Sequence, residues 1–154
     1  MGKKADIDKF LSCKRIAVIG MSRSKAEYSR MLMKEYTGAG YEIIPVNPAA
    51  DEIAGVKCYK NVKDIKPAPE RVIILLPPDK AEQAMIDCAN AGIKDVWMHS
   101  HIAAGVQNTK AIYQAEANRI NLITGFCPMM FLHKAMFLHK IHGGVLKLMG
   151  AYPK

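Results

Sequence analysis

A glycine turn after an apolar stretch is the part of the sequence with the clearest chemistry. Residues 16–19 are consecutive apolar residues, typical of a strand buried on both faces of a parallel sheet, and Gly20-Met21-Ser22-Arg23 follows them. Helical spacing of apolar side chains predicts a helix over Lys25–Tyr36. This order directs loop amides and the positive helix end toward a phosphate, with Ser22 as a cap or hydroxyl donor and Arg23 near a second anion. The alternative is that Gly20 only allows a tight turn.

Histidine and cysteine side chains supply two further candidates for chemistry. His99 and His101 follow the fourth predicted strand, where an imidazole could act as an acid, a base or a phosphate donor. Cys127 follows the fifth predicted strand beside Pro128, and a helix N-terminus there would favour the reactive thiolate. The alternatives are a loop histidine bonded to backbone or water and a buried structural cysteine. Cys127 and His99 are therefore the candidate catalytic residues.

Three more histidines near the carboxyl terminus raise the question of a metal site. If residues 129–154 form a helix, His133 points away from both His139 and His142, because residues six and nine apart lie on different sides. Two histidines alone are an incomplete site, so we predict no metal. The segment is rich in Met and Phe, and we interpret residues 129–154 as a helical extension that covers the sheet or forms a subunit interface.

Strands and helices alternate along the chain. Strands are predicted over residues 16–19, 41–46, 71–76, 94–98 and 119–124, and helices over residues 6–13, 25–36, 79–90 and 108–118. A polar segment, residues 49–66, separates the second strand from the third. This order predicts one α/β domain, Rossmann-like and doubly wound, with a five-stranded, mostly parallel sheet and helices on both faces.

This topology indicates where a ligand would bind. Open parallel sheets bind ligands outside the carboxyl ends of their strands, near the point where the strand order reverses. An ordinary nicotinamide dehydrogenase is disfavoured, because Asn47 stands where Asp or Glu would hold the ribose and the Gly20 loop lacks the Gly-x-Gly-x-x-Gly pattern. The residues at the strand ends are Gly20-Met21-Ser22-Arg23, Asn47-Pro48, Leu76-Pro77-Pro78, His99-Ser100-His101 and Gly125-Phe126-Cys127-Pro128.

Composition limits the class of protein. Half of the 154 residues are hydrophobic, which fits one domain with its own core, and the net charge of +8 favours an anionic partner. The lysines are scattered, so a small anionic nucleotide ligand is favoured over nucleic acid. The four cysteines form no Cys-x-x-Cys pair, the amino terminus lacks a signal-peptide core, and no apolar run reaches the roughly 20 residues of a membrane span. We therefore expect a cytoplasmic protein without membrane contact.

Several segments, taken in order, resemble a known family. Residues 15–23 (RIAVIGMSR), 40–48 (GYEIIPVNP) and 53–59 (IAGVKCY) are similar to the CoA-binding domain family. These are small Rossmann-like proteins similar to the CoA-binding domain of the succinyl-CoA synthetase α subunit. The similarity continues through Pro77-Pro78, residues 94–98 and Cys127-Pro128, so it covers residues 15–128.

The resemblance implies a site for coenzyme A or an acyl-CoA at the strand ends. By this likeness the Gly20 turn would hold phosphate oxygens, the end of the second strand would border the ribose and its phosphate, and the end of the third would flank the adenine or the pantetheine arm. The implied cofactor-binding residues are Gly20, Met21, Ser22, Arg23, Asn47, Pro48, Leu76, Pro77, Pro78, Met98 and His99.

The sequence departs from the family pattern directly after Asn47-Pro48. Many relatives have a basic residue there, whereas this chain has Ala49 and Ala50. One phosphate contact that the resemblance implies is therefore missing. Lys57, Lys60 and Arg23 are the candidates to supply it.

Fold and cofactor do not determine activity, so three classes of function stay open. The first is an accessory or regulatory protein that binds coenzyme A, without ligase activity, because the chain has no room for the phosphohistidine domain and ATP-binding subunit of the synthetase relatives. The second is an enzyme of acyl-CoA or thiol-disulfide chemistry that uses Cys127 or His99. The third is a redox sensor that binds NAD(H). The carboxyl-terminal helix could bind a second copy or a partner protein.

Overall fold

A computed structural model of the chain describes residues 3–99 and 109–132. All neighbouring strands of its five-stranded sheet are parallel, in the order β2-β1-β5-β6-β7. These strands are β1 (Arg15–Ile19), β2 (Glu42–Val46), β5 (Arg71–Ile74), β6 (Asp95–Met98) and β7 (Asn121–Ile123), and a hairpin of β3 (Glu52–Ile53) and β4 (Val56–Lys57) stands apart. The α-helices are α1 (Lys4–Ser12), α2 (Tyr28–Gly38), α3 (Pro78–Asn90) and α4 (Thr109–Ala117). The 3-10 turns are Val62–Asp64 and Pro128–Phe131.

The strand order places a reversal between β1 and β5. The chain passes from β1 to its neighbour β2 at one edge, and then crosses to β5 on the other side of β1. Doubly wound sheets bind ligands at the carboxyl ends of the strands next to such a reversal. The predicted fold class is therefore confirmed, and the sheet directs attention to the ends of β1, β2 and β5.

Helices cover both faces of the sheet. Successive side chains of a strand point to opposite faces, and residues 16–19 of β1 are buried on both, which explains why that stretch is apolar without interruption. On one face, α1 and α2 contribute Ile7, Phe10, Leu32, Met33 and Tyr36 to the core. On the other face, α3 and α4 contribute Ala81, Ala84, Met85, Cys88, Ala111 and Ala115.

Helix α2 begins later than predicted, at Tyr28 instead of Lys25. The hydroxyl of Ser22 accepts a hydrogen bond from the backbone nitrogen of Ser24 at 3.0 Å. The hydroxyl of Ser29 accepts one from the backbone nitrogen of Ser22 at 2.8 Å. Side-chain oxygens that bind nearby amides compete with helix formation, so these contacts keep the preceding loop non-helical. The prediction that Ser22 caps the helix is wrong, because Glu27 occupies the N-cap position.

The polar segment 49–66 contains structure that the sequence did not predict. Ile53 pairs with Val56 across a two-residue turn in which Ala54 and Gly55 both have positive φ, +54° and +77°. This is the pattern of a type I′ hairpin turn. The chain then returns to the main sheet, where Tyr59 forms a parallel bridge to Val46 at the end of β2.

Two buried hydrogen bonds hold the segment after β7 against the rest of the fold. The indole of Trp97 donates to the Phe126 carbonyl at 3.0 Å, and the hydroxyl of Tyr36 donates to the Pro128 carbonyl at 3.0 Å. Residues 128–131 form a 3-10 turn, where the helical extension was predicted to begin at residue 129. The rest of that predicted extension, residues 133–154, lies outside the described residues. Among the helices in residues 3–99 and 109–132, none is both long and apolar enough for a membrane span.

Candidate functional site

A cavity of about 760 Å³ lies at the carboxyl ends of β1, β2 and β5, beside the reversal of strand order. Its size is that of a site for a small ligand or cofactor. Seven of the sequence-predicted site residues line it: Gly20, Met21, Ser22, Asn47, Pro48, Leu76 and Pro77.

Gly20 forms the turn at the end of β1 and lies against the end of β5. Its φ is +91°, and an ideal Cβ atom at this position would stand 2.6 Å from the carbonyl oxygen of Leu75. Only glycine fits both the conformation and the space. The structure thus gives Gly20 the role in a tight turn that was the alternative to phosphate binding, and it adds a close approach to β5 that was not predicted.

Hydrogen bonds within the protein engage three backbone nitrogens of the Gly20-Met21-Ser22-Arg23 turn, which the family resemblance assigned to phosphate. The backbone nitrogens of Gly20 and Met21 both point to the Val46 carbonyl, at 3.2 and 3.4 Å, and the Ser22 nitrogen donates to Ser29. Met21 is fully buried and packs in the core beside the cavity. Phosphate binding by these amides stays a prediction, and it would require them to exchange partners.

Asn47 holds two loops of the cavity together. Its Nδ2 atom donates to the Met21 carbonyl at 2.7 Å, and its Oδ1 atom accepts from the Ala49 backbone nitrogen at 2.8 Å. The first bond ties the end of β2 to the Gly20 turn, and the second closes the turn after β2. The Asn47 side chain therefore stabilises the wall of the cavity.

Charged side chains of both signs line the cavity. Lys60 and Lys80 are the cations, and Glu27, Asp79 and Asp87 are the anions. Asp87 is nearly buried and well paired: it accepts from Asn61 Nδ2 at 2.7 Å and from Gln83 Nε2 at 3.2 Å, and Lys63 Nζ lies 3.2 Å from it. The two lysines are thus the cationic side chains in the lining that could hold an anionic ligand.

Sequence reasoning missed most of these polar residues. Lys80, Gln83 and Asp87 are spaced three and four apart on α3, so they form one stripe beside its apolar face, and this spacing could have identified them. Lys60 was one of three candidates for the missing phosphate contact, but no comparable signal placed it or Asn61 at the cavity, since both reach it through the unpredicted return of the chain to β2.

Four predicted cofactor residues do not line the cavity. Arg23 lies in the exposed part of the loop before α2, where its carbonyl accepts from Arg30 Nη1 at 3.2 Å. Pro78 is the first residue of α3, and Met98 ends β6 against the apolar core on the α3 side. His99 follows β6 and packs against Tyr28, with ring centroids 5.3 Å apart.

A second cluster lies beyond the ends of β6 and β7, and contains Tyr28, His99 and Cys127. The Tyr28 hydroxyl and the Cys127 sulfur are 3.2 Å apart. Burial raises the pKa of the Tyr28 phenol far above its usual range, and neighbouring Cys127 raises it further. The phenol therefore keeps its proton and can donate to the sulfur. Both predicted catalytic candidates lie here, whereas His101 falls outside the described residues.

A comparison with known protein families assigns this chain to one of them. A family model described as a CoA binding domain matches residues 14–133. The chain belongs to the CoA binding domain family. The resemblance seen in the sequence is thereby confirmed.

This CoA binding domain is similar to part of a ligase subunit and to part of an uncharacterized protein. It is 36% identical over 93 residues to the alpha subunit of ADP-forming acetate–CoA ligase II from Pyrococcus furiosus, which covers 58% of this chain and 20% of that subunit. It is 49% identical over 63 residues to the uncharacterized protein YneT of Bacillus subtilis, over 40% of this chain and 47% of that protein. The chain thus spans less than half the length of either relative.

Solved structures share the fold of this CoA binding domain. A hypothetical protein from Pyrococcus horikoshii OT3 matches with a TM-score of 0.70 and 27% identity, over 81% of this chain and 86% of that one. A dinucleotide-forming acetyl-coenzyme A synthetase from Ca. Korarchaeum cryptofilum matches with a TM-score of 0.62 and 26% identity, over 71% of this chain and 25% of that one. Within the described part of this chain, no three His, Cys, Asp or Glu side chains are grouped to hold a metal ion.

Proposed function

We propose that this chain binds coenzyme A or an acyl-CoA, with the nucleotide portion in the cavity at the ends of β1, β2 and β5, and acts as an accessory or regulatory protein. The observation that carries the proposal is the position of the 760 Å³ cavity at the strand-order reversal, in a member of the CoA binding domain family.

The lining suits the parts of such a nucleotide. Pro48, Leu76 and Pro77 offer apolar surface on which an adenine can pack. Lys60 and Lys80 supply cations for the phosphates, and charge-assisted hydrogen bonds are the stronger kind. The cavity therefore combines an apolar wall with cations, as an adenine nucleotide requires.

An accessory role fits the extent of the similarity. The matched residues correspond to 20% of a ligase alpha subunit, and the described residues form one five-stranded sheet, a small hairpin and the helices around them. A fold that binds a cofactor does not by itself supply the reaction. We therefore expect binding of coenzyme A without ligase turnover by this chain alone.

Calorimetry of the full chain with coenzyme A, acetyl-CoA, ATP and NADH tests the proposal. We expect heat with the first two, and binding weakened about tenfold or more by Lys80→Glu, because a cation near phosphate becomes an anion. Lys34→Glu is the matched control, since it makes the same charge change on the exposed side of α2, outside the cavity. Binding of NADH with no binding of coenzyme A at millimolar concentration would contradict the proposal and favour a redox sensor.

A second candidate function is thiol-disulfide exchange at Cys127, favoured by the 3.2 Å contact between its sulfur and the Tyr28 hydroxyl. In this reaction the Cys127 thiolate attacks one sulfur of coenzyme A disulfide. A protein–coenzyme A disulfide forms, the original S–S bond breaks, and one coenzyme A leaves as a thiolate that takes up a proton. The hydroxyl of Tyr28 would stabilise the attacking thiolate.

Mass spectrometry after incubation with coenzyme A disulfide tests this second function. We expect one adduct, lost in Cys127→Ser and slowed in Tyr28→Phe. Cys13→Ser is the control, because Cys13 is also partly exposed but precedes β1 at the amino ends of the strands, whereas Cys127 follows β7 at their carboxyl ends. An adduct of equal yield in Cys127→Ser would exclude the reaction at this residue.

A further inference from the structure

The missing basic residue after Asn47-Pro48 has a structural substitute. The Tyr59 nitrogen donates to the Pro45 carbonyl at 3.0 Å, and the Tyr59 carbonyl accepts from the Asn47 nitrogen at 2.9 Å. These bonds hold the returning chain alongside the end of β2. The next residue, Lys60, therefore lies beside the turn that carries Ala49 and Ala50, and it lines the cavity.

The β3–β4 hairpin makes this return possible. Its tight turn at Ala54 and Gly55 reverses the chain, and the Cys58 nitrogen donates to the Asp51 carbonyl at 2.8 Å. The hairpin thus closes on itself before Tyr59 joins β2. Lys60 directly follows Tyr59, whose backbone nitrogen and carbonyl are both hydrogen-bonded to the end of β2, so the position of its backbone at the cavity is a property of the fold.

The ammonium group of Lys60 has partners that a ligand can replace. Its Nζ atom lies 2.7 Å from Asp51 Oδ1 and donates to the Ala50 carbonyl at 3.0 Å. The Asp51 side chain is 94% exposed, and an ion pair in water contributes little. A phosphate monoester carries more charge than a carboxylate and has three acceptor oxygens, so it can displace Asp51 from Lys60.

The other two candidates for this contact are less well placed. Lys57 extends its Nζ atom over the Tyr59 ring, 4.8 Å from the centroid, and does not line the cavity. Arg23 lies in the exposed loop, also outside the lining. Of the three candidates, Lys60 alone lines the cavity.

We propose that Lys60 binds the phosphate on the ribose of coenzyme A, and that Asp51 competes with this phosphate for the Lys60 ammonium group. The inference rests on the proposed function. It adds which nucleotide the cavity prefers and which residue limits the strength of that preference. The cavity selects a nucleotide with a phosphate monoester on the ribose over one that lacks it. Asp51 sets the strength of that selection, because binding must first break its ion pair with Lys60.

Calorimetry with coenzyme A and dephospho-coenzyme A on the natural chain and three variants tests the inference. For the natural protein we expect about tenfold preference for coenzyme A. Lys60→Gln removes that preference and changes dephospho-coenzyme A binding less than about twofold. Lys57→Gln, the matched control from the adjacent strand β4, keeps it. Asp51→Asn strengthens binding of coenzyme A about threefold and leaves binding of dephospho-coenzyme A unchanged.

The two ligands separate failure of this inference from failure of the proposed function. Equal binding of both ligands by the natural protein overturns the inference and leaves coenzyme A binding intact. Loss of the preference in Lys57→Gln instead of Lys60→Gln overturns it as well. Weaker binding of coenzyme A by Asp51→Asn overturns the proposed competition between Asp51 and the ribose phosphate for Lys60. No binding of either ligand overturns the proposed function and this inference together.

Discussion

Gly20 approaches Leu75 so closely that a Cβ atom on Gly20 would lie 2.6 Å from the Leu75 carbonyl oxygen. The contact joins the end of β1 to the end of β5, where the Leu75 nitrogen donates to the Ile19 carbonyl at 2.8 Å. These two strands flank the strand-order reversal, and the cavity opens beside them. The wall of the cavity therefore depends on the absence of a side chain at residue 20.

Gly20→Ala is expected to destabilise the protein by about 3 kcal/mol, because it combines a positive φ with a backbone clash. The measurement is urea unfolding followed by circular dichroism. Gly92→Ala is the matched control: Gly92 has a φ of +76° but nothing within 4 Å of its ideal Cβ, so it should cost about 1 kcal/mol. Equal losses in the two variants would show that the approach to Leu75 is unimportant.

Asn47→Asp is expected to cost about 1–3 kcal/mol at pH 7, since it replaces the Nδ2 donor with an oxygen facing the Met21 carbonyl. The acceptor for the Ala49 nitrogen is kept, so the substitution isolates the bond between the two loops. The loss of stability should become smaller below about pH 4, where the new carboxyl group is protonated and can donate a hydrogen bond again. Asn90→Asp, at an exposed position at the end of α3, controls for the added charge. A loss that does not change with pH would contradict this role of Asn47.

The sequence predicted the sheet well because its strands are buried on both faces. Residues 16–19 and 72–74 are apolar runs, the first followed directly by Gly20 and the second by Leu75-Leu76-Pro77, and both lie in strands of the structure. The hairpin in residues 49–66 escaped prediction because Ala54, a residue that rarely adopts positive φ, occupies its turn.

The sequence predicted where the site lies, but it did not predict the contacts between the residues that form it. Ends of parallel strands meet at one edge, so Gly20, Asn47 and Leu76 could be brought together from topology alone. The partner of Asn47 is the carbonyl of Met21, 26 residues away, and no local pattern encodes that bond. Lys60 depends on the pairing of Tyr59 with β2, a long-range feature invisible in spacing.

Cysteine labelling should separate the four thiols by burial. Burial raises the pKa of Cys88 to about 12, with a further contribution from Asp87, and burial also raises the pKa of Cys58. At pH 8 we expect iodoacetamide to modify Cys88 at least about 100-fold more slowly than partly exposed Cys13 or Cys127, because the thiolate reacts. Peptide mass spectrometry measures the rates, and labelling in urea, where all four thiols should react alike, is the control. Rapid labelling of Cys88 in the native protein would contradict its burial.

Asp95→Asn should make the free energy of unfolding less sensitive to a fall in pH. Burial favours a raised Asp95 pKa, but hydrogen bonds from Asn121 and Lys9 and the charge of Arg71 outweigh it, so the pKa is lowered. Its stabilising effect is therefore present above the unfolded pKa of about 4 and is lost as the pH falls through the folded value. At pH 7 the variant should lose about 3 kcal/mol in urea unfolding, because Arg71, 12% exposed and 3.0 Å from Asp95, loses its buried partner. Asp51→Asn, at an exposed ion pair, should leave the urea midpoint nearly unchanged. If the difference between the natural protein and Asp95→Asn stayed constant from pH 7 to pH 3, the carboxylate would not be the source of the stability.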